Sequence, residues 1–121
     1  LFFPEGTTGP GDALLPFHAN LFSAACAAKA QVLPIALRYT LEGKTSTIPS
    51  YADVPLFDVI KRIVFTPRLV AEATILDPID SSENDRRAIN AIASANMAAA
   101  LGFVDATAEA ALKRRESATS E

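Results

Sequence analysis

Residues 1–12 read Leu1-Phe2-Phe3-Pro4-Glu5-Gly6-Thr7-Thr8-Gly9-Pro10-Gly11-Asp12, and the change of character at Pro4 governs how the rest is read. Leu1 to Phe3 reads as a buried strand already under way, so the amino end is expected to lie inside a domain rather than at its start. Proline removes the next backbone donor, and the residues after it are polar and glycine-rich, as loops are. A loop at the carboxyl end of a strand is where open α/β sheets bind their ligands.

Outward from that loop the pattern alternates. After Leu14-Leu15-Pro16 a helix is predicted from about Phe17 to Lys29, with Leu21, Phe22, Ala25 and Ala28 at helical spacing and facing a core. Val32 to Tyr39 reads as a strand covered on both faces. Thr40 to Pro55, with Gly43, Pro49 and Pro55, reads as a surface connection. Leu56 to Phe65 predicts a short helix with Leu56, Ile60, Ile63 and Val64 on one side. Leu69 to Leu76 predicts a strand closed by Asp77-Pro78. A last long helix is expected from Ser82, with Asp85 three residues on in a near capping-box arrangement, through Ile89, Ile92, Ala93, Met97 and Ala100 to Gly102. Strand, helix, strand, helix, strand, helix implies an α/β fold with a largely parallel sheet flanked by helices. Residues 1–105 are expected to form the ordered part and 106–121, poor in apolar residues, a frayed helix or disordered tail.

Composition narrows the function classes. The chain has 121 residues, is half apolar and carries a formal net charge of -3, so one domain with a real core is expected and nucleic acid is not an expected partner. Its basic clusters, Arg86-Arg87 and Lys113-Arg114-Arg115, read as solvated helix faces or, less often, as patches for anionic lipid headgroups. Cys26 is the one cysteine, which rules out an internal disulfide and cysteine-built metal sites; no metal is expected. Set among alanines, it reads as an inert buried thiol rather than an acyl-accepting nucleophile. No run of about eighteen apolar residues occurs to span a bilayer.

The loop itself has chemistry to offer. Gly6 lets backbone and ligand approach closely, and loop amides can point at an anion. Thr7 and Thr8 add hydroxyl donors, and Glu5 can accept hydrogen bonds from a polar ligand or from its own loop. In the second case Glu5 is purely structural.

Phe3-Pro4-Glu5-Gly6-Thr7, then Leu15-Pro16-Phe17, a helix, and Val32-Leu33-Pro34-Ile35-Ala36 form an ordered set that resembles conserved blocks of the lysophosphatidic acid (1-acyl-glycerol-3-phosphate) acyltransferase family. The likeness is strong over residues 1 to 40; from Tyr51 to Gly102 it is one of spacing, including the Asp85-Arg86-Arg87 helix start. It implies the carboxyl-terminal part of a glycerolipid-acyltransferase-like domain, transferring a fatty acyl group from acyl-CoA or acyl-carrier protein to the hydroxyl of a lysolipid in phospholipid biosynthesis. It also implies no cofactor beyond the acyl donor, and a place on the cytoplasmic face of the bacterial inner membrane, peripheral or anchored by parts outside this chain. Glu5, Gly6, Thr7 and Thr8 take the substrate-binding role, on the acyl-acceptor side. Arg38, Lys61 and Arg62 are further expected contacts for acyl-carrier protein or headgroup, or else solvated charges.

Two departures qualify the resemblance. Many members carry arginine where this chain has Thr8, and the double threonine is more similar to lyso-ornithine lipid acyltransferases, whose acceptor has no phosphate. The family's chemistry also needs a histidine with an aspartate five positions later, the histidine taking the acceptor's proton and the aspartate orienting it. Here the one histidine, His18, is followed at that position by Ser23, so His18 reads as groove-lining or surface and no catalytic residue is assigned. The catalytic pair is expected outside this chain, leaving the fragment alone inactive; the alternative is a non-catalytic lipid-headgroup-binding fragment.

Overall fold

A computed structural model describes residues 1–50 and 54–119. Parts of the expected surface connection (51–53) and tail (120–121) lie outside the described residues. After the opening loop, a 3-10 turn (Ala19–Phe22) runs into α1 (Ser23–Ala28), followed by β1 (Ile35–Leu41) and β2 (Lys44–Thr45). Then come α2 (Leu56–Val64), β3 (Leu69–Ile75), α3 (Arg86–Leu101) and α4 (Ala106–Thr119).

The helices and strands stand close to where the hydrophobic pattern puts them, but the sheet is antiparallel and not parallel. Its order is β2-β1-β3, with β1 antiparallel to both neighbours. The cause is local. Glu42 and Gly43 both have positive φ, 52° and 77°, which makes the two-residue primed turn that folds a strand straight back on itself. The β1–β3 ladder then runs from Ile35↔Ile75 to Leu41↔Leu69. The end of β1 thus lies beside the start of β3, and the chain between them leaves and re-enters the sheet at the same end. A parallel pair needs a crossover to the opposite end.

Leu1 to Phe3 joins no strand. Phe2 instead sets its ring edge-on to Phe22 with centroids 5.1 Å apart, a favoured aromatic geometry. The helix expected from Phe17 is divided into the 3-10 turn and short α1, which Lys29 ends in the left-handed conformation at φ 49°. Within it Phe22 is buried, whereas Leu21 and Ala28 are exposed.

The core joins Leu14, Phe17, Phe22, Ile79, Ile89, Ala93 and Ala98, with Cys26, Val32, Met97, Leu101 and Phe103 packed around it. It lies between the loop-to-helix segment and α3. Ser81 fastens its rim, its hydroxyl donating to the Ala30 carbonyl with the Ala25 carbonyl 2.9 Å away as the alternative acceptor. Of the α3 positions named from the sequence, Ile92 and Ala100 are exposed, and the buried stripe takes in Asn90 and Ser94 beside Ile89, Ala93 and Ala98.

On α2 the apolar side lies open. Val59 is buried, while Leu56, Ile60, Ile63 and Val64 are exposed, as are Ile35, Leu37 and Ile75 on one face of the sheet. Strand and helix periodicity chose the apolar faces correctly, yet nothing among the described residues covers these. No helix of the described residues is long and apolar enough to cross a membrane.

The long helix starts at Arg86 rather than Ser82. Asp85 is its cap, accepting from the amides of Arg87 and Ala88 at 2.8 Å each, while Ser82 is held in a turn by Asp80. Gly102 ends α3 at φ 71°, the left-handed position that glycine fills without a side-chain clash. Donation from Ala88 and Arg87 lowers the Asp85 pKa below its ordinary value. A depressed folded-state pKa means the cap's contribution is present above the unfolded carboxylate value and is lost as pH falls through the folded one. Helicity followed by circular dichroism is therefore expected to fall on acidification below pH ~4. Asp85→Asn, a good cap without a carboxylate, should keep α3 and flatten that acid dependence, and Asp85→Ala should weaken α3 at every pH.

Candidate functional site

The polar loop is tied down by its own turn and by three residues beyond it. Gly6 adopts φ 69°, and its amide donates to Phe3 O at 3.1 Å, closing a tight turn directly after the apolar start. Such a φ suits glycine because it has no Cβ to meet the carbonyl. The Glu5 carboxylate reaches across the loop and accepts from the Leu15 amide at 2.9 Å. His18 N donates to Pro4 O at 2.8 Å. Two distant anchors thus tie Pro4-Glu5 to the Leu15-Pro16-Phe17 turn, so two blocks that stand apart in the sequence are joined in space.

Of the residues read as substrate-binding, Glu5 is half-buried and engaged with Leu15, so at least one oxygen serves the loop. Gly6, Thr7 and Thr8 are exposed. Neither threonine hydroxyl has a partner among the described residues, and both are available to a ligand. Ser50 Oγ, from the far side of β2, donates to Gly9 O at 2.7 Å and pins the loop's second half.

His18 sits next to this loop. A Cβ built on Gly6 would lie 3.0 Å from His18 Cδ2, so loop and imidazole are in contact. The same imidazole forms part of the wall of a cavity of about 470 Å³ that extends toward the start of α3 and along α4. Among the described residues no acidic side chain bonds or pairs with His18, so none of them gives it the orienting carboxylate that a general base needs. It is a wall residue, as its sequence context implied.

The other candidates separate. Arg38 is committed to Glu72, with Nη2 2.7 Å and Nε 3.1 Å from Oε2. Donation from Arg38, then from Thr40, lowers the Glu72 pKa. Lys61 lies over the Phe57 ring at 5.1 Å. Cys26 is half-buried against the core, with Asn84 O at 3.9 Å as its sulfur contact. No group of three or more His, Cys, Asp or Glu side chains suited to a metal ion occurs among the described residues.

Asn90, on the cavity wall, carries no sequence signal of its own, and Arg114, also on that wall, enters the sequence reading only as one member of a basic cluster. Asn90 occupies a position that periodicity treats as core-adjacent, and Arg114 belongs to a basic cluster in the supposed tail. No linear signal joins them.

No family model matches the chain, and no solved structure does. Curated relatives do. Over 87 residues it is 45% identical to a 1-acyl-sn-glycerol-3-phosphate acyltransferase of Neisseria gonorrhoeae, and equally to one of Neisseria meningitidis. Over the same length it is 34% identical to a lyso-ornithine lipid O-acyltransferase of Pseudomonas aeruginosa. Each match takes in 71% of this chain but 34% of the relative, so the matched stretch spans about a third of the length of these relatives.

Proposed function

We propose, from the premise that this chain is a homologue of part of the 1-acyl-sn-glycerol-3-phosphate acyltransferases, that it forms the acyl-acceptor side of such an enzyme. The observation that carries the reading is the loop. Glu5 and His18 hold a left-handed glycine turn against the Leu15-Pro16-Phe17 segment, leaving Thr7 and Thr8 open to solvent. A loop held this firmly can position a lysolipid hydroxyl, and positioning is worth several orders of magnitude in rate when it sets a near-attack geometry.

In this reading the lysolipid's free hydroxyl attacks the thioester carbonyl of acyl-CoA or acyl-carrier protein. The C–O ester bond forms, the C–S bond breaks, and the hydroxyl proton passes to a base. That base and its orienting acid come from outside this chain, since His18 lacks a carboxylate partner in sequence and in space. Glu5, Gly6, Thr7 and Thr8 serve binding and orientation of the acceptor. A membrane location, on the cytoplasmic face, follows from the lipid substrate and belongs to the same proposal.

The gene segment upstream of the Leu1 codon provides the first test. It is expected to encode a histidine followed five positions later by an aspartate, and its absence there overturns the enzyme reading. Acyl transfer by the corresponding whole protein, assayed with lysophosphatidate and with lyso-ornithine lipid, then fixes the acceptor. Thr8 and the 34% identity to the Pseudomonas aeruginosa protein favour the second lipid as the alternative substrate.

A further inference from the structure

The cavity beside His18 brings together two basic clusters that are far apart in sequence. Its walls carry Arg86 and Arg87 from the first turn of α3, Arg114 from α4, and Asn90 one turn into α3, with Asp105 as the one acid among them. The Asp105 carboxylate is tied to the start of α4, its Oδ1 accepting from Ser94 Oγ and from the amides of Thr107 and Ala108, and it stands as one negative charge against three arginines. Arg86 has a long contact, 3.5 Å, to Ser23 Oγ, and the Asp85 carboxylate at the cap of α3 attracts both Arg86 and Arg87 through charge without a direct ion pair. The lining is therefore cationic in a chain whose net charge is negative.

Asn90 adds a different requirement. It is 7% exposed, its Nδ2 donates to Phe17 O at 3.4 Å, and its buried Oδ1 has no partner. A buried acceptor left unmade is costly, so the site calls for a donor at that point. A bare anion satisfies the arginines but not Asn90, and a neutral polyol does the reverse.

We propose that this cavity binds a phosphate monoester that carries a free hydroxyl, the phosphate on Arg87 and Arg114 with Arg86 at its edge, the hydroxyl donating to Asn90 Oδ1. Arginine's planar fork suits phosphate oxygens bidentately. The ligand chemistry is shared by a free polyol phosphate and by a glycerophospholipid headgroup. The inference deepens the acceptor reading, on which it rests only for the identity of the lipid: α3 and α4 supply the phosphate contacts that Thr8 cannot.

Titration of the isotope-labelled 121-residue chain, followed by amide NMR, tests this with no acyl donor present. Glycerol 3-phosphate is expected to shift residues around Arg86–Ala91 and Thr107–Arg114, inorganic phosphate to bind the same residues more weakly, and glycerol to do nothing. Arg87→Gln and Arg114→Gln, at exposed positions, should each weaken glycerol 3-phosphate about 10-fold or more. Asn90→Ala should erase its advantage over inorganic phosphate. Lysophosphatidate below its micellar concentration, compared with glycerol 3-phosphate, distinguishes a lipid headgroup from a free ester.

Glycerol 3-phosphate causing no shift at millimolar concentration overturns the site. Shifts that sulfate reproduces equally and that neither arginine variant reduces overturn it too, as does equal affinity for phosphate and its ester, which leaves Asn90 to a water molecule. Binding without acyl transfer by the whole protein keeps the site and removes the enzyme reading; transfer without binding here does the opposite.

Discussion

Phe22→Ala is expected to lower the unfolding free energy of this chain by about 3–5 kcal/mol, the usual cost of emptying a buried aromatic site. Phe22 is 2% exposed. It packs in the cluster with Leu14, Phe17, Ile79 and Ile89 and receives the edge of Phe2. Because a small domain has only about 5–15 kcal/mol in all, the variant should sit near or past the limit of a cooperative native state. Urea denaturation is the measurement. The parent and Phe22→Ala should differ in midpoint by far more than the parent and Phe57→Ala, whose ring is exposed on α2 and should count for less than ~1 kcal/mol. Equal losses for the two would mean that the core does not lie between the 3-10 turn and α3. The consequence reaches the cavity, since Phe22 closes the 3-10 turn that follows His18, a wall residue.

Gly6→Val should be the most damaging single change in the loop. The backbone at φ 69° costs an L-residue roughly 1–2 kcal/mol, and a β-branched side chain more. The new Cβ also starts 3.0 Å from His18 Cδ2, so imidazole or loop must move. A fall in melting temperature of about 5 °C or more is expected for a chain of this size. Gly6→Asn, which tolerates the left-handed region, should lose clearly less. In the whole protein, displacing this turn by about 1 Å is expected to cost on the order of 100-fold in acyl transfer if the loop positions the acceptor. Valine tolerated with neither stability nor turnover affected would show that the turn is neither left-handed nor part of the site.

Much of this could be read from residue order. Gly102 as a helix stop, the β-rich run Leu69–Ile75 and the apolar helix Leu56–Val64 depend on local geometry, and the structure has them there. Glu5 shows where that reading ends. Its residue type allowed a ligand contact or a loop pin; the 2.9 Å bond to the Leu15 amide makes one carboxylate oxygen a pin and leaves the other to the proposed acceptor contact. For Asp85 and Ser82, both plausible caps, the choice fell to the residue whose carboxylate reaches two free amides at once.

The sequence alone determined the loop of Pro4 to Asp12, the apolar faces of the helices and strands, and the likeness to acyltransferases, because these reside in residue types and their spacing. Tertiary structure decided the direction of the strands, since a period of two is the same read either way and the turn at Glu42-Gly43 reverses the chain. It decided that Leu1 to Phe3 stays out of the sheet, with Phe2 alone set against Phe22. It alone brought Arg86, Arg87, Asn90 and Arg114 to one cavity beside His18, because contact between residues so far apart in sequence depends on how α4 packs on α3, and no local pattern records that.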